Sequence, residues 1–247
     1  MTAGRIRIGI GGWTFKPWRG SFYPDDLPQR RELEYASGHL GTIEINGTYY
    51  GSQKPETFKK WHDETPDDFV FSVKGPRFAT NRKALADGRD SVERFLTSGV
   101  TELGRKLGPI LWQFMATKKF DPEDFEGFLD LLPEKQDDLS LRHVVEVRHD
   151  SFCCDEFVAL ARKHGVAVAS AFDSPHPKIE DVTADFAYLR IMGTKENEPL
   201  GYPADALGGW ADKLRELAEG RDVFAYIIGG YKDVNPQTAM ALIERVS

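Results

Sequence analysis

His143-Val-Val-Glu-Val-Arg-His-Asp150 is the stretch whose reading decides the fold. Its period-two alternation puts Val144, Glu146 and Arg148 on one face of a strand and Val145 and Val147 on the other. Helical patterning flanks it and further apolar strands recur at a regular beat, so both faces are expected to be covered. A buried Glu and Arg two residues apart then need partners or a task, because burying charge is costly. The mouth of a β/α barrel supplies one, since strand ends there build the functional site.

Outward from this strand, apolar segments recur at 6–12, 42–46, 69–74, 109–114, 144–148, 167–173, 187–192 and 223–228, with helical patterns between them. That is the alternation of a parallel sheet. Val92, Phe95, Leu96, Leu103 and Leu107 fall at helical spacing, as do Leu207, Trp210, Leu214 and Leu217. Asp121-Pro122 and Asn235-Pro236 each read as an N-cap followed by proline in the first turn. An open doubly wound sheet competes, but eight β/α units in a row favour closure. The expectation is an α/β fold, one (β/α)8 TIM-type barrel occupying residues 1–247 as a single domain. The first connection, 13–29, is long and rich in Trp, Phe, Tyr and Pro, and loops of that length usually serve function.

Net charge is −7, and no basic run is long enough for a nucleic-acid tail, so nucleic acid is not an expected partner. The two cysteines, Cys153 and Cys154, are adjacent, which disfavours a disulfide between them and points to a reducing, cytoplasmic setting. The start of the chain runs directly into 6–10 without a signal-like segment, and no apolar run reaches membrane-spanning length. A cytoplasmic protein without a membrane partner is expected.

Strand parity selects the residues that converge on the mouth. Glu44 and Asn46 share a face in the second strand, Ser72 and Lys74 in the third, and Gln113 ends the fourth. Glu146 and Arg148 come from the fifth, Asp173 from the sixth, Arg190 and Met192 from the seventh. Three carboxylates thus meet three cations. A purely structural ion network is the plain alternative. Against it, barrel interiors are mostly branched and apolar, so this many charges at one end suggest a site. Trp13 and Tyr49, just past strand ends, are candidate ligand contacts, whereas Phe15 and Phe22 are expected to fold the loop. His149 follows the fifth strand, and Gly229-Gly230 with Lys232 follow the eighth, where barrels commonly bind phosphate.

At this point the chain resembles the YecE-like barrels, domain of unknown function 72. The resemblance lies in Gly11-Gly-Trp-Thr-Phe15, Trp18-Arg-Gly-Ser-Phe-Tyr-Pro24, Glu44-Ile-Asn-Gly-Thr-Tyr-Tyr50, Ser72-Val-Lys74, Glu146-Val-Arg-His149 and Asp173-Ser-Pro175. It runs nearly end to end and implies a TIM-type barrel without an established reaction. Its matching positions, Glu44, Asn46, Lys74, Gln113, Glu146, Arg148 and Asp173, are those that parity selects. Two departures stand out: Arg190-Ile-Met-Gly193 replaces the family's Arg-Leu-His-Gly, and Ile227-Ile-Gly-Gly230 replaces an Asn-rich turn. Losing that imidazole weakens any metal site built on His.

The leading expectation is a barrel acting on a small anionic, sugar-like compound carrying phosphate or carboxylate. Candidate catalytic residues are Glu44, Glu146, Asp173 and Lys74. Candidate ligand contacts are Trp13, Asn46, Tyr49, Gln113, Arg148, His149, Arg190, Gly229, Gly230 and Lys232. No metal or cofactor is expected. A metal-dependent phosphoester hydrolase or sugar isomerase, by analogy with apurinic endonucleases and xylose isomerases, is the second reading. A binding protein without turnover is the third, and whether the chain is an enzyme stays open.

Overall fold

The computed structural model describes residues 4–247; the first three residues of the expected domain lie outside it. Eight parallel strands, numbered here in chain order, are β1 (Ile6–Gly11), β2 (Thr42–Ile45), β3 (Val70–Lys74), β4 (Leu107–Gln113), β5 (His143–Glu146), β6 (Ala167–Phe172), β7 (Phe186–Ile191) and β8 (Asp222–Ile227). They close in the order β1-β8-β7-β6-β5-β4-β3-β2, with Ile6 opposite Val223 and Ile10 opposite Ile227 sealing the barrel. This is the expected (β/α)8 barrel.

Helices α1 (Glu32–His39), α2 (Pro55–Asp63), α3 (Arg89–Leu96), α4 (Pro122–Leu129) and α5 (Asp155–Lys163) follow β1 to β5. Helices α6 (Ala204–Leu217) and α7 (Asn235–Val246) follow β7 and β8. No helix follows β6: residues 173–185 cross as a loop, where Pro175 and Pro177 remove backbone donors and restrict the residues before them. Helix α4 starts as expected, the Asp121 carboxylate accepting from the Asp124 amide at 3.1 Å with Pro122 in the first turn.

Two local expectations are corrected. The helical spacing through Leu103 and Leu107 does not continue α3, because Gly99 at φ +98° breaks it and Leu107 opens β4. Asn235 is not an N-cap. It is buried as the first residue of α7, accepting from Thr194 Oγ1 at 2.8 Å and donating to the Gly229 carbonyl at 3.2 Å, which ties the loops after β7 and β8 together.

Outward-facing residues such as Ile43, Phe71 and Val145 pack under the helices in one large core. A second cluster, including Leu111, Val144, Ala169, Tyr188 and Tyr226, fills the barrel interior. Each inward strand position therefore belongs to a stacked layer, and the layer above this plug, at the strands' C-terminal ends, is polar. Among the described residues no helix is long and apolar enough to cross a membrane.

Candidate functional site

Glu44, Lys74, Gln113, Glu146 and Arg190 form that polar layer, each less than 8% exposed. Register explains their convergence: Gln113 pairs with Glu146 across β4 and β5, and Arg190 lies one residue pair above Tyr188 on β7. Arg190 is the hub. Its Nε and Nη2 donate to the two oxygens of Glu44 at 3.2 and 3.1 Å, and its Nη1 donates to Glu146 at 2.5 Å. Glu146 also accepts from Gln113 Nε2 at 2.9 Å and from Arg148 Nε at 2.8 Å. Tyr188 completes the Glu44 shell with its hydroxyl at 2.7 Å, and Ser72 lies 2.8 Å behind that hydroxyl.

The electrostatics follow from this wiring. Burial alone would raise the Glu146 carboxyl, but Arg190 and Arg148 overcome it and hold the group down at about 2. Burial would lower Arg190, and Glu146 with Glu44 push it up instead. Both partners therefore stay ionised, and three of the five Arg190 N–H groups are committed to the two carboxylates.

Lys74 behaves differently. Among the described residues its ammonium has no hydrogen bond and no ion pair; it sits 4.3 Å above the centre of the Tyr49 ring. Burial pulls it down to about 8, against the opposing charge of Glu44. Tyr49 thus serves as a floor for the amine, its hydroxyl 3.4 Å from Asn81 Nδ2. Arg148, just past the end of β5, keeps about a quarter of its side chain exposed and turns only Nε onto Glu146.

Other expected residues are not drawn into the network. Asp173 takes a left-handed φ of +52°, is exposed, and accepts from Tyr202 at 2.7 Å, a geometry allowed because Gly193 lacks a Cβ that would lie 2.5 Å from the Asp173 Cβ. Trp13 packs edge-on against Trp61 of α2, 5.2 Å between rings, and near Phe71 on the outer side of β3. Asn46 Nδ2 donates back to the Glu44 carbonyl at 3.3 Å. His149 caps the short turn 150–152, its Nδ1 accepting from the Ser151 amide at 3.1 Å. Gly229 and Gly230 form a left-handed turn, and Lys232 folds over Phe15 and Trp18 at 4.2 and 5.4 Å, so it staples the first loop.

Two residues escaped the sequence reading. Tyr188 shares parity with Arg190, a signal obscured by the apolar run around it. His176, in the helix-free loop after β6, is half-buried; burial lowers its imidazole, and the charges of Arg148 and Arg190 add to the effect. A cavity of about 410 Å³ is lined by residues including Thr48, Phe58 of α2, Phe78, Arg82 and Arg94 of α3, and by none of the polar-layer side chains. Thr48, on its wall, donates to the Lys74 main-chain carbonyl at 2.6 Å. Among the described residues no group of three or more His, Cys, Asp or Glu side chains is placed to hold a metal ion.

Several comparisons bear on the fold and the family. A crystal structure of a DUF72 family protein from Thermotoga maritima MSB8 superposes with a TM-score of 0.77 at 22% identity, covering 98% of both chains. One from Enterococcus faecalis V583 gives 0.76 at 16% identity, covering 98% of this chain and 95% of the other. The UPF0759 protein YecE of Escherichia coli (strain K12) is 35% identical over 150 residues, 60% of this chain and half the length of that relative. The family described as protein of unknown function DUF72 matches residues 7–247, which include every residue of the polar layer, and the chain belongs to that family.

Proposed function

We propose that the C-terminal mouth binds a small anionic compound, phosphorylated or carboxylated, with Lys74 and the open side of Arg148 facing it. Charge balance carries the reading. Glu44 and Glu146 are matched by Arg190 and Arg148, so the buried Lys74 ammonium is a cation without a carboxylate of its own. A buried charge left in that state costs stability, and an anion entering the mouth relieves it. Tyr50, 69% exposed and edge-on to Tyr49 at 5.1 Å, gives an exposed ring near Lys74 for a sugar-like body. The carboxylates' engagement with Arg190 favours this over a metal-dependent hydrolase or isomerase.

The test is a melting screen of phosphate, sulfate, dicarboxylates and phosphorylated sugars. A compound at about 100 times its Kd is expected to stabilise the fold by roughly 2.7 kcal/mol. For a chain of this size that raises Tm by about 5 to 10 °C. Lys74→Met is expected to abolish the rise while leaving the unliganded protein as stable as wild type or more so, since an unpaired buried cation is removed. Should Lys74→Met instead lower stability by several kcal/mol, with no compound shifting wild type, Lys74 is a structural residue and the reading fails.

A further inference from the structure

We propose that Lys74 is an amine nucleophile that forms an imine with the carbonyl carbon of an anionic aldehyde or ketone whose charged group rests on Arg148. The inference rests on the anion-binding reading above and adds a covalent step and a substrate class to it.

The argument begins with two buried lysines in one molecule. Lys106 is 2% exposed and fully engaged, donating to the carbonyls of His62 and Thr65 at 2.5 and 2.7 Å and to Thr65 Oγ1 at 3.2 Å. That is how a structural buried ammonium is accommodated. Lys74, at 7%, has no such acceptor among the described residues. The carboxylates nearest in charge, Glu44 and Glu146, are turned onto Arg190, and the Tyr49 ring supports the amine from one side only. A nitrogen placed at a strand end in a barrel mouth with its lone pair uncommitted is what attack on a carbonyl requires. The groups acting on it come from every side: Glu44 of β2, Glu146 and Arg148 at the end of β5, Arg190 of β7, and Tyr49 beyond β2. Burial is the largest influence and lowers the amine to about 8, so at about pH 7.5 its neutral fraction is roughly two hundredfold that of an ordinary lysine.

The step balances without an oxidant or reductant. The neutral amine nitrogen bonds to the carbonyl carbon, and the π pair moves onto oxygen. One nitrogen proton passes to that oxygen, giving a carbinolamine; a second proton reaches the oxygen as it leaves as water, and the nitrogen gives up its remaining extra proton as C=N forms. None of these proton transfers needs more than solvent water at the mouth. Arg148 Nη1 and Nη2, which have no partner among the described residues, are left for the carboxylate or phosphate of the same compound.

The experiment treats the full chain with sodium cyanoborohydride and, separately, glyoxylate, pyruvate or dihydroxyacetone phosphate, then maps modified peptides by mass spectrometry. The expected result is a single reduced adduct on Lys74 with at least one probe, in large excess over any other lysine. Inorganic phosphate suppresses it, and Lys74→Arg and Lys74→Met both abolish it. An adduct spread evenly over surface lysines, or one that survives in Lys74→Met, overturns the proposal. If no probe labels Lys74 although phosphate or another anion still raises Tm, the imine is refuted and the anion site stands. If neither labelling nor a Tm rise occurs, both fail. Because labelling is read on wild type, misfolding of a variant does not obscure the outcome.

Discussion

Arg190→Met is expected to destabilise the protein by about 3 to 5 kcal/mol, the range found when one partner of a buried ion network is removed. The guanidinium is 3% exposed and bonds two carboxylates, neither exposed at all. Deleting it leaves Glu44 with only Tyr188 and Ser72 behind it, and Glu146 with Gln113 and Arg148. The asymmetry lies between breaking the network and replacing it. A variant combining Glu44→Leu, Glu146→Leu and Arg190→Met removes all three charges together and is expected to recover most of the loss, because desolvation of the ions no longer opposes folding. Urea unfolding measures both. A cost below about 1 kcal/mol for the single change would show that water reaches these groups and that the layer is not a closed network.

The closed barrel and its polar layer were legible because strand parity is a local property. Once 44, 74, 113, 146 and 190 are assigned to inward faces, parallel register brings them to one end. Partner choice was not legible. Parity places Arg190 and Lys74 alike in the mouth, yet one is wired to two carboxylates and the other to none, a difference decided by side-chain reach across the barrel. Loop residues were least legible. The same extension of parity that selected Arg190 correctly carried Asp173 inward, where a left-handed φ turns it onto Tyr202 instead. Trp13 and Lys232 also follow strand ends, but aromatic neighbours distant in sequence, Trp61 for one and Phe15 with Trp18 for the other, determine where they lie. His176 carried a faint signal: Pro175 and Pro177 on either side force a loop next to the mouth.

Acid is expected to unfold the protein in two separable windows, the lower governed by Glu146. His143 sets the upper one. Its Nδ1 accepts from Trp112 Nε1 at 3.1 Å, its Nε2 faces the Pro133 carbonyl at 2.8 Å, and burial lowers it from 6.5 to about 4. The unfolded chain takes up that proton first, so stability drains as pH falls from about 6.5 to about 4. Glu146 is an acid with a depressed value, 4.5 brought down to about 2 by Arg190 and Arg148 against the cost of burial. Its contribution is complete above about 4.5 and is lost on the way down to about 2. At 1.36 kcal/mol per unit this contribution is on the order of 3 kcal/mol. Glu146→Gln separates it from every surface carboxylate, since the amide keeps the shape and cannot titrate. The variant is expected to be less stable than wild type at pH 7, by an amount that shrinks steadily between pH 4.5 and 2.5, whereas the loss between pH 6.5 and 4.5 stays common to both proteins. Urea unfolding of the pair at pH 7, 5 and 3 reads this directly. A gap between the two proteins that is the same at all three values would mean that Glu146 titrates alike in the folded and unfolded chains, and that Arg190 and Arg148 do not hold it down.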